Sequence, residues 1–119
     1  MKIELSRRRR LGVSGLKVTP LCLGTMMFGS RTPEKEAQEI IDQAREYGVN
    51  FIDTADVYNK GLSEQIVGRA IKTDRSNWVL ASKAGNPMGI DKHCRGLSRK
   101  WMMEAIDGSL KRLDTDYLD

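Results

Sequence analysis

Three residues whose side chains could do proton chemistry follow two short apolar runs of the sequence. Asp53 closes one apolar run, Tyr58 lies five residues later, and Lys83 comes two residues after another apolar run. Taken singly, they have ordinary explanations: a loop hydrogen bond, an aromatic packing contact and a solvated lysine. Together they predict a site, because ionisable groups are costly to leave unpaired near a core. The chemistry they offer is proton donation by a phenol, assisted by an ammonium group that a carboxylate orients.

The elements that would position these residues repeat along the chain as a short apolar run, a loop and a segment of helical period. The runs are 21–23, closed by Gly24, then 51–53, then 78–81, with the start of a fourth at 117–118. Strands alternating with helices predict βαβ units and a parallel sheet, which is the α/β class. The first strand is not followed by GxGxxG and no GxxxxGK[ST] is present, so a barrel is favoured over a doubly wound fold.

Each predicted helix has a start signal and an apolar stripe. Thr32 is the predicted cap of the first helix with Pro33 at its first position and Gly48 just past its end; Ser63 and Ser98 are the predicted caps of the other two. The predicted buried stripes are Ala37, Ile40, Ile41, Ala44 and Tyr47 in the first helix, Val67, Ala70 and Ile71 in the second, and Met102, Ala105, Ile106, Ser109, Leu110 and Leu113 in the third.

The N-terminal region, residues 7–18, is predicted to form a hairpin ahead of the main fold, because Ser14 and Gly15 supply turn chemistry between two strand-like runs. Its four arginines, residues 7–10, equal the whole formal net charge of +4. A basic run can bind nucleic acid, and salt-sensitive retention on DNA or RNA would indicate that. We favour an exposed hairpin strand and expect no nucleic-acid partner.

Composition points to an ordinary globular domain, with 39% hydrophobic and 30% charged residues. The longest apolar stretches are a few residues, which predicts neither a membrane span nor a secretory signal. Cys22 and Cys94 lack CxxC or finger-like spacing. The adjacent pair His93-Cys94 is too small a set of ligands to predict a metal site. We therefore expect a cytoplasmic protein without a bound metal.

Several motifs together resemble the aldo-keto reductase family, in order and in spacing, over almost the whole chain from Arg7. Within the family the sequence looks most like the bacterial branch related to the potassium-channel β subunits. The matching segments are Phe51 to Tyr58 with Ser63-Glu64 and Val67 to Ala70, Arg10 to Gly12 with Ser14 to Leu16, Leu23 to Gly29, Ala81 to Lys83, and Ser109 to Leu113 with Asp116 to Asp119.

The resemblance implies a (β/α)8 barrel whose active site lies at the carboxyl ends of the strands, and reduction of aldehydes or ketones with NADPH, with NADH left open. Tyr58 matches the family's proton donor, and Lys83 and Asp53 match the pair that tunes it. The loop that lines the nicotinamide end of the cofactor matches Gly24, Thr25 and Met26, and Asp53 matches the residue beside the nicotinamide ribose. The substrate is expected to be a small carbonyl compound, whose identity the matched motifs leave open.

The family's fourth catalytic residue, a histidine a few positions beyond the equivalent of Asp119, has no counterpart in the sequence, and His93 does not match it. We therefore expect residues 1–119 to be the N-terminal half of a barrel that typically runs to about 250 residues. That half comprises the hairpin, three βα units and the start of strand four. The alternative is a catalytically inactive half-barrel that pairs with the missing half, or with another copy of itself through open sheet edges.

Overall fold

The strands form two separate sheets, and the helices alternate with the strands of the larger sheet. The computed structural model describes residues 4–119. The strands are β1 (Arg9–Arg10), β2 (Lys17–Val18), β3 (Leu23–Gly24), β4 (Phe51–Asp53) and β5 (Val79–Ala81); the helices are α1 (Glu34–Glu46), α2 (Leu62–Ile71) and α3 (Arg99–Leu113), with 3-10 turns at Tyr58–Gly61 and Lys72–Asn77.

The larger sheet has the order β3-β4-β5 with all three strands parallel, while β1 and β2 form an antiparallel hairpin. Gly24 pairs with Asp53, and Asp53 pairs with Ala81. The last residues of the three strands therefore lie side by side. Because side chains and loops that follow parallel strands leave the sheet at the same edge, this register brings the loops after β3, β4 and β5 together.

The core lies between the sheet and the helices. Ile52 and Leu80, at the middle of β4 and β5, are fully buried, and they belong to one apolar cluster with Ile41 of α1 and Val67 of α2. Helix α2 is buried along most of its length because it packs against both α1 and α3. A Cβ on Gly68 would lie 2.3 Å from the carbonyl oxygen of Leu113. Helices α2 and α3 therefore meet where α2 has no side chain.

The start of α1 differs from the prediction, whereas its end agrees with it. Pro33 is the cap residue rather than the first helical residue, and it has no side chain that could accept a hydrogen bond. Thr32 does not cap the helix, because its N–H donates to Met27 O and its carbonyl accepts from Gly29 N within the preceding loop. Gly48 follows the helix with a positive φ of 77°, as predicted. Tyr47 was wrongly assigned to the buried stripe: it is 60% exposed.

The predicted cap of α2 was wrong, and that of α3 is confirmed. Helix α2 begins at Leu62 after Gly61, whose φ of 92° suits only a residue without a Cβ, so Ser63 lies inside the first turn. The Oγ of Ser98 accepts from Trp101 N at 3.1 Å. The stripe predicted for α3 included Met102, which is exposed. The buried residues of α3 recur every four positions and are Trp101, Ala105, Ser109 and Leu113.

The C-terminal run 117–118 is not a strand in the described part of the chain, yet it lies beside β5. The backbone N–H of Asp119 donates to Leu80 O at 3.1 Å, and Leu80 N donates to the Asp119 carboxylate at 2.9 Å. Arg75 holds this segment from the side, donating to Tyr117 O and to Asp119 Oδ2, both at 2.9 Å. None of the helices found in residues 4–119 is both long and apolar enough to cross a membrane.

The contact between α2 and α3 yields a first prediction. Gly68→Ala should lower the free energy of unfolding by about 2–3 kcal/mol, because the new methyl group would overlap the backbone of Leu113 and force the helices apart. Gly15→Ala is the matched control, since a Cβ there meets no atom within 4 Å. We expect the control to stay within about 0.5 kcal/mol of the protein in urea unfolding. Equal stabilities of the two variants would contradict the close approach.

Candidate active site

The ammonium group of Lys83 lies at the centre of the polar cluster at the strand ends. Its Nζ donates to Asp53 Oδ2 at 2.6 Å, to Thr54 O at 2.9 Å and to Tyr58 Oη at 3.0 Å. A lysine has three N–H donors and no acceptor, so these contacts use all of them. The predicted salt bridge between Lys83 and Asp53 is present, and the structure brings Asp53, Tyr58 and Lys83 together.

The surroundings of Lys83 keep it protonated. Burial lowers the pKa of this lysine, but the hydrogen bonds that it donates to Asp53 and Tyr58 and the charge of Asp53 outweigh that effect, so the pKa is raised above its ordinary value. Nζ also lies 4.7 Å from the centre of the Tyr58 ring, a cation–π distance. Because Tyr58 Oη accepts from the ammonium, its own O–H remains available to donate to another molecule.

Tyr58 is held by a turn in an uncommon backbone conformation. Asn59, Lys60 and Gly61 follow it with φ values of 50°, 55° and 92°. Non-glycine residues in this left-handed region are uncommon and are enriched at functional sites. Asn59 Nδ2 donates to Phe28 O at 2.7 Å and to Met26 O at 3.1 Å, which ties the tyrosine turn to the loop after β3. The sequence analysis missed Asn59, for which a turn-forming Asn-Lys-Gly triplet was the only signal.

The predicted cofactor-binding residues lie beside the cluster but do not all face it alike. A groove of about 440 Å³ is lined by Gly24, Met26, Asp53 and Tyr58, among others. A Cβ on Gly24 would meet no atom within 4 Å, and Met26 is 55% exposed. The Thr25 side chain, in contrast, is buried. The residue also borders the groove, but only 1% of it is exposed, and its hydroxyl donates to Asp53 O in the interior.

Three buried hydroxyl groups join the ends of β3 and β4 to the first turn of α2. Ser63 Oγ donates to Thr25 O at 2.8 Å and lies 3.0 Å from Thr25 Oγ1 and 3.1 Å from Thr54 Oγ1. Thr25 Oγ1 in turn donates to Asp53 O at 3.0 Å. Buried polar groups need such partners, and here the partners come from two strands and a helix. This explains why Ser63 lies inside the helix instead of capping it.

The next residue of α2 reaches the end of β5. Glu64 is fully buried, and its carboxylate accepts from Ser82 Oγ and from Arg112 Nε of α3, each at 2.6 Å. Asp56 lies nearby with 1% of its surface exposed, and within residues 4–119 its Oδ2 has no hydrogen-bond partner. Burial and, secondarily, the charge of Glu64 raise the pKa of Asp56. The sequence analysis gave no role to Ser82, Glu64 or Arg112.

His93 lies apart from this cluster, in an exposed turn where its backbone N–H donates to Asp91 Oδ1 at 2.7 Å. Nowhere between residues 4 and 119 do three histidine, cysteine, aspartate or glutamate side chains come together in a way that could hold a metal ion. Both cysteines are free thiols, with Cys22 exposed and Cys94 partly exposed. The pKa of the Cys22 thiol is raised, first by partial withdrawal of the sulfur from water and then by the charge of Asp53, although the residue as a whole is exposed. The described chemistry is thus concentrated at the strand ends.

This geometry can be set beside known proteins. A family model described as the Aldo/keto reductase family matches residues 20–119. The chain belongs to the aldo/keto reductase family. The resemblance found in the motifs is therefore confirmed.

Individual aldo/keto reductase relatives agree with the branch indicated by the motifs. The chain is 43% identical over 115 residues to the uncharacterized oxidoreductase YqkF of Bacillus subtilis. That alignment covers 95% of this chain and 37% of YqkF. It is 45% identical over 117 residues to a probable voltage-gated potassium channel subunit beta of Arabidopsis thaliana, covering 93% of this chain and 35% of that protein. The chain therefore spans a little over a third of the length of these relatives.

A solved structure supports the predicted fold class. The aldo-keto reductase AKR11C1 from Bacillus halodurans, in its holo form, superposes with a TM-score of 0.86 at 43% identity, covering 96% of this chain and 38% of that chain. The parallel order β3-β4-β5 with its alternating helices is the N-terminal half of a (β/α)8 barrel preceded by a β-hairpin. The predicted fold class is confirmed.

The raised pKa of Lys83 generates a second prediction. A lysine whose pKa is higher in the folded protein than in the unfolded chain stabilises the fold below its ordinary pKa of about 10.4, and this stabilisation is lost as the pH rises through the folded value. The difference in unfolding free energy between the protein and Lys83→Met should therefore be constant from about pH 7 to 9 and shrink above about pH 10.4.

Denaturant unfolding across this pH range measures the difference. Lys35→Met is the matched control, because Lys35 is an exposed lysine on α1 away from the cluster. For the control we expect a difference that does not change with pH. A Lys83→Met difference that grows as the pH rises would contradict the paired ammonium.

Proposed function

We propose that this chain forms part of an enzyme that reduces aldehydes or ketones to alcohols with NADPH, and that the site at the strand ends performs the proton chemistry. The observation that carries the proposal is the contact of the Lys83 ammonium with both Tyr58 Oη and the Asp53 carboxylate. Membership in the aldo/keto reductase family supports the reaction class. The proposed substrate is a small carbonyl compound.

In the proposed reaction Tyr58 is the acid. When a carbonyl carbon is reduced, negative charge develops on its oxygen, and a hydroxyl donor placed there stabilises the transition state. Tyr58 is half-buried and lines the groove, with its oxygen already accepting a hydrogen bond from Lys83. Its O–H can therefore donate to the substrate oxygen, and the phenolate that remains is stabilised by the adjacent ammonium.

Lys83 and Asp53 are the proposed positioning groups for that transfer. Lys83 supplies a fixed positive charge, because the carboxylate of Asp53 and the carbonyl of Thr54 hold its Nζ in place. Partial removal of the ammonium from water destabilises the folded state, and the attraction of the Asp53 carboxylate offsets that cost. The pair remains partly exposed, with side-chain accessibilities of 48% and 31%. The groove therefore stays open to a bound molecule.

The groove fits the nicotinamide end of a dinucleotide. Gly24 leaves open space beside the strand end, Met26 offers an exposed apolar side chain, and Asp53 offers a carboxylate to a ribose hydroxyl. The structural relative in its holo form supports a bound cofactor in this family. When bound, a reduced nicotinamide supplies the hydride. We propose NADPH as this cofactor, and Gly24, Thr25, Met26 and Asp53 as its contacts.

We further propose that the activity belongs to a whole barrel, of which residues 1–119 form the N-terminal half. The chain matches 35–38% of the length of its relatives with high identity. In that arrangement the free thiols of Cys22 and Cys94 suit a reducing cytoplasm, which we propose as the compartment. Contacts to the cofactor phosphates would come from the remainder of the barrel.

A third prediction tests the role of Tyr58. In the whole barrel, Tyr58→Phe should lower kcat for reduction of 4-nitrobenzaldehyde by at least about 100-fold, because general acid catalysis contributes about 10²–10⁴-fold. The affinity for NADPH should stay within about twofold, since the aromatic ring remains and only the hydroxyl is lost. Steady-state kinetics and fluorescence titration give the two values. Tyr47→Phe, an exposed tyrosine after α1, is the matched control and should keep full activity.

Two results would count against this assignment. Full activity of Tyr58→Phe would remove the tyrosine from the reaction. A loss of NADPH binding as large as the loss of turnover would instead assign Tyr58 to cofactor binding.

A fourth prediction concerns residues 1–119 as an isolated polypeptide. We expect no reduction of 4-nitrobenzaldehyde and weak binding of NADPH, because tight binding depends on charge-assisted phosphate contacts, whereas the proposed contacts here reach only the nicotinamide end. We also expect self-association through the edges of the parallel sheet. Fluorescence titration with NADPH and a light-scattering mass test both. A monomer that binds NADPH tightly and reduces the aldehyde would contradict the proposed division of the site.

A further inference from the structure

Glu64 is a fully buried carboxylate that the proposed chemistry does not use. Its two oxygens have different partners: Oε1 accepts from Ser82 Oγ, and Oε2 accepts from Arg112 Nε, both at 2.6 Å. Ser82 immediately precedes Lys83, and Arg112 comes from α3, 48 residues further along the chain. The carboxylate thus joins the end of β5 to two helices in the interior.

The first link leads to the ammonium. Apart from the contacts of Lys83 Nζ, residues 82 and 83 are held by the Ser82 hydroxyl, which donates to Glu64, and by Lys83 O, which accepts from Asp56 N at 3.1 Å. A hydrogen bond to an ionised acceptor in a buried site is strong and directional. These contacts determine where the Cα of Lys83 lies. The position of the Cα in turn determines whether Nζ can reach all three of its acceptors.

The second link leads to the tyrosine turn. A Cβ on Gly61 would lie 2.6 Å from Cδ of Arg112, so the arginine side chain packs directly on that glycine. Gly61 is the last of the three left-handed residues that follow Tyr58. The ion pair of Glu64 and Arg112 therefore contacts the segment that carries the acid as well as the segment that carries the ammonium.

The charges around Glu64 argue against a role confined to stability. Arg112 is its cation, and the charge of Glu64 acts in turn on the nearby carboxyl group of Asp56. Taking such a pair out of water costs nearly as much as the attraction returns, so a buried ion pair is weak evidence for stability. What the pair does provide is a fixed geometry between α2, α3 and the end of β5.

We propose that Glu64 is a positioning residue for the Lys83 ammonium, acting through the hydroxyl of Ser82. The inference rests on the proposed function only in giving the positioned ammonium a use in catalysis. In Glu64→Gln the amide oxygen can accept from Arg112 while its NH2 group donates to Ser82 Oγ, so the hydrogen bond to Ser82 reverses its direction and loses the assistance of the negative charge. Ser82→Ala removes the link on the other side and leaves the ion pair intact.

The test measures the reactivity of the Lys83 amine in the protein free of ligand. Trace acetylation with acetic anhydride between pH 7 and 11, read by peptide mass spectrometry, gives the reactivity of Lys83 relative to exposed Lys35 in the same molecules. A lysine that loses its acceptors holds its proton less tightly. Glu64→Gln and Ser82→Ala should therefore raise the relative labelling of Lys83 at pH 8 by about three- to tenfold, where tenfold corresponds to one pKa unit.

Two matched variants separate positioning from general destabilisation. Ser82→Thr keeps the hydroxyl, and Ile66→Val removes one buried methyl group from the same helix. Both variants should leave the relative labelling of Lys83 unchanged. Thermal unfolding should show that Ile66→Val is nevertheless less stable than the protein. Unchanged labelling in Glu64→Gln and Ser82→Ala, or an equal rise in Ile66→Val, would overturn the proposal. If Glu64→Gln does not fold, Ser82→Ala decides the matter by the same criterion.

The labelling needs neither cofactor nor turnover, so its outcome is independent of the proposed activity. A whole barrel that shows the predicted rise in labelling but reduces no carbonyl compound refutes the proposed function and keeps Glu64 as a positioning residue. A whole barrel that is active but shows no rise in labelling keeps the proposed function and refutes the role of Glu64. In an active protein, Glu64→Gln should also shift the pH profile of kcat while leaving the affinity for NADPH within about twofold.

Discussion

An ammonium group that is partly withdrawn from bulk water needs acceptors from the protein in place of the water it loses, and this requirement shapes the candidate site. Lys83 finds them in the carboxylate of Asp53, the carbonyl of Thr54 and the phenol of Tyr58, all from β4 or the loop that follows it. These acceptors converge only because β4 and β5 are parallel and in register to their last residues. The contacts of Lys83 therefore depend directly on how β4 and β5 pair.

Short strands make side-chain contacts at the sheet edge more important than they are in a longer sheet. Strand β3 has two residues and β4 and β5 have three each, so few backbone hydrogen bonds fix their ends. The first turn of α2 supplies what the ladder lacks: Ser63 holds the ends of β3 and β4, and Glu64 holds the end of β5. Two consecutive residues of one helix thus reach all three strands.

Local pattern predicted the parts of the fold that depend on near neighbours. The runs at β4 and β5, the cap at Ser98 and the turn at Gly48 were all predicted correctly, and the motifs singled out Asp53, Tyr58 and Lys83, which the structure brings into contact. The errors have a common physical origin. A serine ahead of an apolar stripe is typical of a cap, but Ser63 serves strand ends up to 38 residues away. Asn59 and Glu64 were missed because their partners lie 31 and 48 residues away, beyond any periodicity.

The left-handed turn after Tyr58 has a consequence for engineering this protein. A non-glycine residue in that conformation costs roughly 1–2 kcal/mol, so Lys60 carries a strain that glycine would relieve. Lys60→Gly would, however, widen the range of backbone angles open to the turn that follows Tyr58. Selection for thermal stability alone would therefore favour a change in the turn that holds the proposed acid in place. Libraries screened for stability should hold Lys60 constant, or score activity beside it.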